Sequence, residues 1–142
     1  MSGRRVEDVA GKQDILRKAK VLAVLGLGRN PGRPAYGVAR YLQQRGWRIL
    51  PVHPAGGEVL GERIHRSLAE LPVRPDVVDV FRNPVHLPGI VRDVLAMPED
   101  LKPWAIWFQD GVVDEQTAND AAASGLLVVM DDCTARVAGR MD

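Results

Sequence analysis

Residues 21–54 form the segment that most restricts the fold of this chain. Val21–Leu25 is a short, wholly apolar run that ends at Gly26. A glycine-rich loop follows, then a stretch with helical periodicity that stops at Gly46, and then a second apolar run that ends at Val52. Strands that are apolar on both faces are typical of parallel sheets covered by helices. The segment therefore predicts a buried strand, a loop, a helix and a second buried strand.

The same alternation continues along the rest of the chain, and the segment before residue 21 also suits a helix. Alternating strands and helices imply right-handed crossovers and a parallel sheet. The sequence therefore predicts an α/β fold, a Rossmann-like open and mostly parallel sheet of about five strands with helices on both faces. The predicted strands cover residues 21–25, 47–52, 77–81, 104–108 and 126–130, and the predicted helices cover residues 7–19, 35–45, 84–97 and 115–124.

Capping residues and prolines mark where the predicted helices begin. Pro34 stands at a first-turn position, where proline is tolerated, and Asn83 and Asp114 precede helices as caps. A further short helix is predicted after Ser67, whose side chain would form a capping box with Glu70.

The chain length of 142 residues fits one domain, 1–142, with a core of its own. We expect residues 1–11 and 134–142 to lie at its periphery. Cys133 is the only cysteine, which excludes an intrachain disulfide and a cysteine-based zinc cluster. No apolar run approaches the ~20 residues that span a bilayer, and the N-terminal residues lack the apolar core of a signal peptide. We therefore expect a cytoplasmic protein that does not bind membranes.

Positive charge is concentrated in the first half of the chain. Residues 15–57 carry a net charge of +8, whereas the whole chain carries only +1. Such asymmetry predicts a localised anion site rather than a nucleic-acid surface, which would require a basic protein overall. The eight basic residues of this stretch are Arg17, Lys18, Lys20, Arg29, Arg33, Arg40, Arg45 and Arg48.

Polar residues and glycines follow each predicted strand. In open α/β sheets, ligands bind outside the carboxyl ends of the strands, near the point where the strand order reverses. These ends are therefore the candidate binding site. They carry Gly26-Leu27-Gly28-Arg29-Asn30, His53-Pro54, Arg82-Asn83-Pro84, Gln109-Asp110-Gly111 and Asp131-Asp132-Cys133.

The loop after the first long strand has the composition of a phosphate-binding turn. Gly26, Gly28, Gly32 and Gly37 let backbone N–H groups turn toward an oxyanion without a Cβ in the way. The helix that follows presents unpaired N–H groups and the positive end of its dipole. The loop therefore predicts a ligand that contains phosphate.

Two features of the sequence disfavour NAD as that ligand. Pro31 occupies the position of the third glycine in the dinucleotide-binding fingerprint. Val52-His53-Pro54 closes the second strand, where NAD-binding proteins carry an acidic residue for the ribose. An ATP-binding Walker A loop is also absent from the sequence. NADP remains an alternative, and with it the function of an NAD(P)-binding redox regulator or reductase.

Six ordered motifs resemble those of the small single-domain CoA-binding proteins. The fold of that family is also the fold of the CoA-binding N-terminal domain of the succinyl-CoA synthetase α subunit and of related ADP-forming acyl-CoA synthetases. The resemblance covers roughly residues 12–133 and implies that the ligand is coenzyme A or an acyl-CoA. The motifs are AVLGLGRNPGRPAYGVARYL, RILPVHP, EVLGERIHRSLAELP, DVVDVFRNP, AIWFQDGVVDE and GLLVVMDDC.

The resemblance also implies where coenzyme A would bind. The glycine-rich loop would lie under the phosphates, beside the start of the helix. Residues 81–84 would follow the adenosine or pantetheine path. The residues implied in binding are Gly26, Leu27, Gly28, Arg29, Asn30, Arg33, Pro34, Tyr36, Gly37, His53, Pro54, Phe81, Arg82, Asn83, Pro84, Gln109 and Gly111.

The chain departs from the family pattern after His53-Pro54. A basic residue is common there, whereas this chain has Ala55-Gly56-Gly57. A phosphate contact at this place would have to come from Arg29 or Arg33.

The sequence predicts no chemistry beyond binding. The related synthetases carry their phosphorylated histidine and their nucleotide-grasp module outside the CoA domain. His53 has no evident orienting partner for general-base catalysis, and two aspartates next to Cys133 disfavour its thiolate. We expect no catalytic residue and no bound metal. A third hypothesis is that the chain is a partner subunit or a regulator that uses CoA occupancy as a signal. We therefore also consider a protein partner or a homo-oligomer.

Overall fold

The computed structural model describes residues 3–141. Its strands are β1 (Arg4–Arg5), β2 (Val21–Leu25), β3 (Arg48–Val52), β4 (Glu58–Val59), β5 (Glu62–Arg63), β6 (Val77–Val80), β7 (Ala105–Phe108) and β8 (Leu127–Val129). Its α-helices are α1 (Val9–Lys18), α2 (Pro34–Gln44), α3 (Leu87–Leu95), α4 (Glu115–Ala123) and α5 (Thr134–Ala138). These elements confirm the predicted α/β, Rossmann-like class.

Six strands form one sheet in the order β1-β8-β7-β6-β2-β3, and all of its strand pairs are parallel. The chain runs outward from β2 to β3 and then crosses back to β6 on the other side of β2. The strand order therefore reverses between β2 and β6, so their carboxyl ends mark the position where ligands bind in such sheets. The strands β4 and β5 form a separate antiparallel hairpin.

Apolar side chains cover both faces of the sheet. One face packs against α3 and α4 and includes Leu25, Val80 and Phe108. The other face packs against α1, α2 and α5 and includes Val24 and Trp107. Because the strands are buried on both sides, the five longer ones are almost wholly apolar. Arg48 in β3 and Asp79 in β6 are their only charged residues.

The strand count exceeds the predicted number by one because of β1. This strand is only two arginines long and pairs with β8 at the edge of the sheet. Val6 continues it, with its N–H donating to the Val128 carbonyl at 2.8 Å. A charged two-residue strand has no apolar run, so the periodicity of the sequence does not reveal it. The terminal segments also contribute to the core, since Val6, Val137 and Ala138 are buried.

Several helix boundaries follow the predicted caps. Pro34 begins α2, and the Asp114 side chain accepts a hydrogen bond from the Thr117 N–H at 3.1 Å at the start of α4. Asn83 caps as predicted, with its side chain accepting from the Val85 N–H. It caps a 3₁₀ turn, Pro84–His86, that precedes α3, so the single helix predicted over 84–97 is divided.

The capping box predicted at Ser67 is wrong. The segment Leu68–Glu70 is a 3₁₀ turn, and the Ser67 side chain makes no capping hydrogen bond. The Glu70 carboxylate instead accepts from the Arg66 N–H at 3.1 Å, one residue before the expected donor. No helix within residues 3–141 is both long enough and apolar enough to cross a membrane.

Candidate functional site

A cleft of about 880 Å³ lies at the carboxyl ends of the central strands. It spans the ends of β3, β2, β6 and β7 and is bordered by the starts of α2 and α5. This volume is within the range of ligand pockets, roughly 300–1,000 Å³. The lining residues are Gly26, Gly28, Arg29, Asn30, Arg33, Pro34, Ala35, Val38, His53, Ala55, Gly56, Phe81, Arg82, Gln109, Asp110, Val112 and Cys133.

The structure brings ten of the sequence-predicted site residues together around this cleft. They come from four separate parts of the chain, as expected for a site built at the ends of parallel strands. These ten are Gly26, Gly28, Arg29, Asn30, Arg33, Pro34, His53, Phe81, Arg82 and Gln109.

Seven other predicted site residues do not line the cleft. The Leu27 side chain is fully buried in the core, and Tyr36 packs against the same apolar cluster. Pro54 lines a smaller neighbouring pocket. Asn83 and Pro84 form the 3₁₀ turn before α3. The remaining two are Gly37, exposed on α2, and Gly111, exposed in the turn after β7.

The cleft also contains apolar residues that the sequence did not single out. Val38 lies one helical turn after Pro34, so the i, i+4 spacing on α2 was a signal for it. Val112 follows the turn after β7 and had no such signal. Together with Phe81 they are apolar residues of the cleft lining.

The glycine-rich loop has its shape because side chains would not fit. Gly26 has a φ of +95°, and a Cβ there would collide with the Phe81 backbone oxygen. Only glycine tolerates both conditions. A Cβ at Gly28 would lie 3.0 Å from the His53 ring. The Asn30 side chain accepts from the Gly32 N–H at 2.9 Å and so fixes the far end of the loop.

Three arginines line the cleft, namely Arg29, Arg33 and Arg82. None of the salt bridges within residues 3–141 involves them. Arg29 lies across Gly57, where a Cβ would stand 3.1 Å from the arginine Cδ. Gly57 has a φ of +100°, so glycine suits both the backbone and the close approach. Gly57 therefore makes room for the Arg29 side chain.

Fewer basic residues of the stretch 15–57 line the cleft than the sequence had suggested. Of the eight basic residues between residues 15 and 57, only Arg29 and Arg33 line the cleft. Lys20 and Arg48 flank the amino ends of β2 and β3, at the opposite edge of the sheet. Arg45 lies over the Tyr41 ring on α2. Arg82, from outside the basic stretch, restores one positive charge to the cleft.

His53 presents a donor to the cleft. Its Nδ1 accepts a hydrogen bond from the Ala55 N–H at 3.0 Å. Nδ1 is therefore unprotonated, and the ring proton is on Nε2, which lies near Gly28. An Nε2–H group donates to an anion and does not act as a base at that atom. This geometry is suited to binding phosphate.

A buried carboxyl group lies beneath the cleft. Asp79 is fully buried on β6 and accepts hydrogen bonds from Gln109 Nε2 at 2.5 Å and from the Thr134 hydroxyl at 3.0 Å. Burial raises the pKa of Asp79 to about 7, although the hydrogen bonds from Gln109 and Thr134 oppose the shift. Asp79 could not be recognised as functional from the sequence, because one acidic residue in an apolar run does not show which partners it meets.

Acidic residues after β7 and β8 are held in ion pairs. Asp110 pairs with Arg136 at 2.7 Å, and this hydrogen bond holds the pKa of Asp110 below its usual value. Burial opposes ionisation of Asp132, but hydrogen bonds from Lys12, the Cys133 N–H and Arg136 outweigh it and lower its pKa. Asp131 accepts from the Gly111 N–H, so Asp131 and Asp132 are bonded to different partners.

The fold and the cleft together define the class of this protein. It is a Rossmann-like α/β protein with a glycine-rich, arginine-lined cleft where the strand order reverses. The profile of the CoA binding domain matches residues 20–138. The chain therefore belongs to the CoA binding domain family, as the motifs had suggested.

Several known proteins are similar to this chain over most of their own length. YneT of Bacillus subtilis (strain 168) is 34% identical over 121 residues, which cover 85% of this chain and 87% of YneT. The structure of cell-free ID.343 from Thermus thermophilus is 36% identical, with a TM-score of 0.86 and coverage of 94% of this chain and 98% of that one. Prb, a PH1109 protein redesigned for binding, is 28% identical with a TM-score of 0.87, covering 96% and 93%.

Part of a much larger protein has the same fold. The dinucleotide forming acetyl-coenzyme A synthetase 1 of Ca. Korarchaeum cryptofilum matches with a TM-score of 0.64 at 16% identity. The match covers 77% of this chain but only 25% of the synthetase.

Proposed function

We propose that this protein binds coenzyme A or an acyl-CoA in the cleft at the ends of β2 and β6, without chemistry of its own. The phosphates would contact the glycine-rich loop, Arg29 and Arg33. The observation that carries the proposal is this pair of arginines beside the loop, with no acidic partner among residues 3–141. Membership of the CoA binding domain family supports the choice of ligand.

The number of available cations fits coenzyme A. Its pyrophosphate and 3′-phosphate carry more negative charge than NAD, and guanidinium groups bind phosphate through paired hydrogen bonds. Each charge-assisted hydrogen bond contributes roughly 1.5–3 kcal/mol. A few such bonds are of the same order as the ~8 kcal/mol of micromolar binding, and burial of the uncharged parts of the ligand adds to them.

The uncharged parts of coenzyme A also find a matching surface. Val38, Phe81 and Val112 line the cleft and offer an apolar wall to the adenine or to the pantetheine arm. At the end of β3, His53 stands where an NAD-binding protein would need a carboxylate. The geometry therefore favours coenzyme A over NAD.

The absence of chemistry is supported by the groups around the cleft. His53 presents an N–H there because its Nδ1 is occupied by Ala55. Asp79 is buried and engaged by Gln109 and Thr134. Neither group is placed to exchange a proton directly with a ligand.

Replacing Arg33 tests the proposal. We expect Arg33→Ala to weaken the binding of coenzyme A about tenfold or more, because one charge-assisted contact is lost. If Arg33 meets the 3′-phosphate, the loss with dephospho-CoA will be smaller, and calorimetric titration of both ligands measures the difference. Equal losses would place Arg33 away from the 3′-phosphate.

Arg40→Ala is the matched control. Arg40 is an exposed arginine on the same helix, but it does not line the cleft. Its removal changes the net charge equally, so we expect a change in affinity of less than about twofold. If both variants lose affinity alike, the effect comes from overall charge and the proposed site is wrong.

A further inference from the structure

Three buried polar side chains form a closed network under the cleft. Gln109 Nε2 lies 2.5 Å from Asp79 Oδ1 and 2.8 Å from Thr134 Oγ1. The Thr134 hydroxyl in turn donates to Asp79 Oδ2 at 3.0 Å. Asp79, Gln109 and Thr134 are all buried, and they come from β6, the end of β7 and the start of α5.

The chemistry of Asp79 determines which way the Gln109 amide points. Above its pKa of about 7, Asp79 is ionised and offers only acceptors, so it faces the NH₂ group of the amide and not its oxygen. The two hydrogens of Nε2 are then both used, one by Asp79 and one by Thr134. Turning the amide over would place its oxygen against the carboxylate in a buried site, where unpaired polar groups are costly.

The side-chain oxygen of Gln109, Oε1, faces the cleft. Within residues 3–141, Oε1 accepts no hydrogen bond, and Arg5 Nε is the one fully buried side-chain polar atom there that lacks a partner. Oε1 is therefore accessible. Gln109 lines the cleft while its nitrogen is held toward the buried pair, so the accessible atom lies on the cleft side.

We infer that Asp79 and Thr134 orient the Gln109 carboxamide so that its oxygen accepts a hydrogen bond from an N–H or O–H group of the bound coenzyme A, an assignment that rests on the proposed function. Gln109 is then a specificity-determining residue and Asp79 and Thr134 are positioning residues. Coenzyme A carries such donors in its adenosine half and in its pantetheine half, and both share the required chemistry.

The position of Gln109 also sets the direction of the ligand. β7 lies two strands from β2, a separation of roughly 10 Å at ~4.8 Å per strand. An oxygen acceptor at the end of β7, with Asp110 beside it, repels phosphate oxygens. The phosphates therefore lie toward Arg29 and Arg33, and an uncharged, donor-bearing part of coenzyme A lies against Gln109.

A measurement on the wild-type protein tests the orientation. In isotope-labelled protein, we expect the two side-chain N–H protons of Gln109 to exchange with water at least tenfold more slowly than those of the exposed Gln44, because both are buried and hydrogen-bonded. Gln109→Met identifies the resonance by removing it. Rapid exchange of both protons would overturn the orientation.

Titration with ligands tests the acceptor. We expect Gln109→Met to weaken coenzyme A about five- to tenfold, the effect of one lost hydrogen bond. Gln116→Met is the matched control, since Gln116 makes an amide-to-carboxylate bond to Asp120 on the surface. Titration with adenosine 3′,5′-bisphosphate and with phosphopantetheine shows which half carries the donor. No loss with either half, or with coenzyme A, would overturn the role of Gln109.

The positioning role has its own readout. Thr134→Ser keeps the hydroxyl and should keep slow exchange and affinity, whereas Thr134→Val should lose both. Equal exchange rates and equal affinities in the two variants would contradict a positioning role for Thr134.

Failure of the proposed function can be distinguished from failure of the inference. If wild-type protein does not bind coenzyme A, the proposed function and the role of Gln109 in ligand binding are both wrong, while the exchange rates still test the orientation of the amide. If it binds and Gln109→Met binds equally well, only the inference falls.

Discussion

Asp79 is the residue whose environment departs furthest from its usual one. Its carboxyl group is completely buried on the central strand β6, with Gln109 and Thr134 as hydrogen-bond donors. Burial raises its pKa from 3.8 to about 7. The folded protein therefore binds a proton more tightly than the unfolded chain does, and the stability that this proton contributes is complete below about pH 4. That stability is lost as the pH rises through about 7.

Asp79→Asn removes this dependence on pH. We expect the free energy of unfolding of the wild type, relative to the variant, to fall by up to about 4 kcal/mol between pH 4 and pH 7.5, because each unit of pKa shift corresponds to about 1.4 kcal/mol. Other titrating groups are common to both proteins and cancel in the difference. Denaturant unfolding over this pH range gives the result. Parallel curves for the two proteins would show that Asp79 titrates normally.

The glycine-rich loop requires glycine at Gly26, whereas the helix α2 does not require it at Gly37. Gly26 must remain glycine because of its positive φ and the nearby Phe81 oxygen. Gly37 lies inside α2, exposed, and a Cβ there would meet no atom within 4 Å. The first position is limited by geometry, whereas the second has no steric reason to be glycine.

Alanine at these two positions separates the effects. We expect Gly37→Ala to stabilise the protein by about 0.5–1 kcal/mol, because alanine favours the helix. We expect Gly26→Ala to destabilise it by about 1–3 kcal/mol or more, because the backbone is strained and must move. Thermal unfolding of both variants measures the changes. If Gly26→Ala stabilised the protein, the positive φ and the close approach of the Phe81 oxygen at Gly26 would be contradicted.

The elements that the sequence reveals are those that bury the most apolar surface. β2 and β7 are uninterrupted apolar runs, and their signal comes directly from burial on both faces. β1 is two arginines and α5 is only five residues long. Pairing with β8 fixes β1, and packing against α1 and α2 fixes α5. Such tertiary contacts leave little trace in local sequence, so these two elements were not predicted.

The sequence identified the location of the candidate site better than its chemistry. Strand ends and glycines placed ten predicted residues around one cleft, because topology brings the carboxyl ends of parallel strands together. The basic stretch was a weaker guide, since Lys20 and Arg48 lie at the opposite edge of the sheet. The orientation of Gln109 depends on Asp79 and Thr134, which are distant in sequence, so only the structure shows it.

In the molecule as a whole, positively and negatively charged side chains lie at different parts of the cleft. Arginines without acidic partners among residues 3–141 follow β2 and β6, and ion-paired aspartates follow β7 and β8. This arrangement favours a ligand with several phosphates at one end and an uncharged part at the other. Coenzyme A has that distribution of charge, whereas NAD carries fewer phosphates and meets no ribose-binding carboxylate at the end of β3.

Calorimetric titration of the wild-type protein with coenzyme A and with NADP, under the same conditions, tests directly whether the protein binds coenzyme A selectively. Both ligands carry three phosphate groups, so the comparison separates recognition of coenzyme A from simple attraction of anions. We expect a dissociation constant for coenzyme A in the micromolar range or below, and binding of NADP at least tenfold weaker. Equal affinity for the two ligands, or tighter binding of NADP, would contradict it.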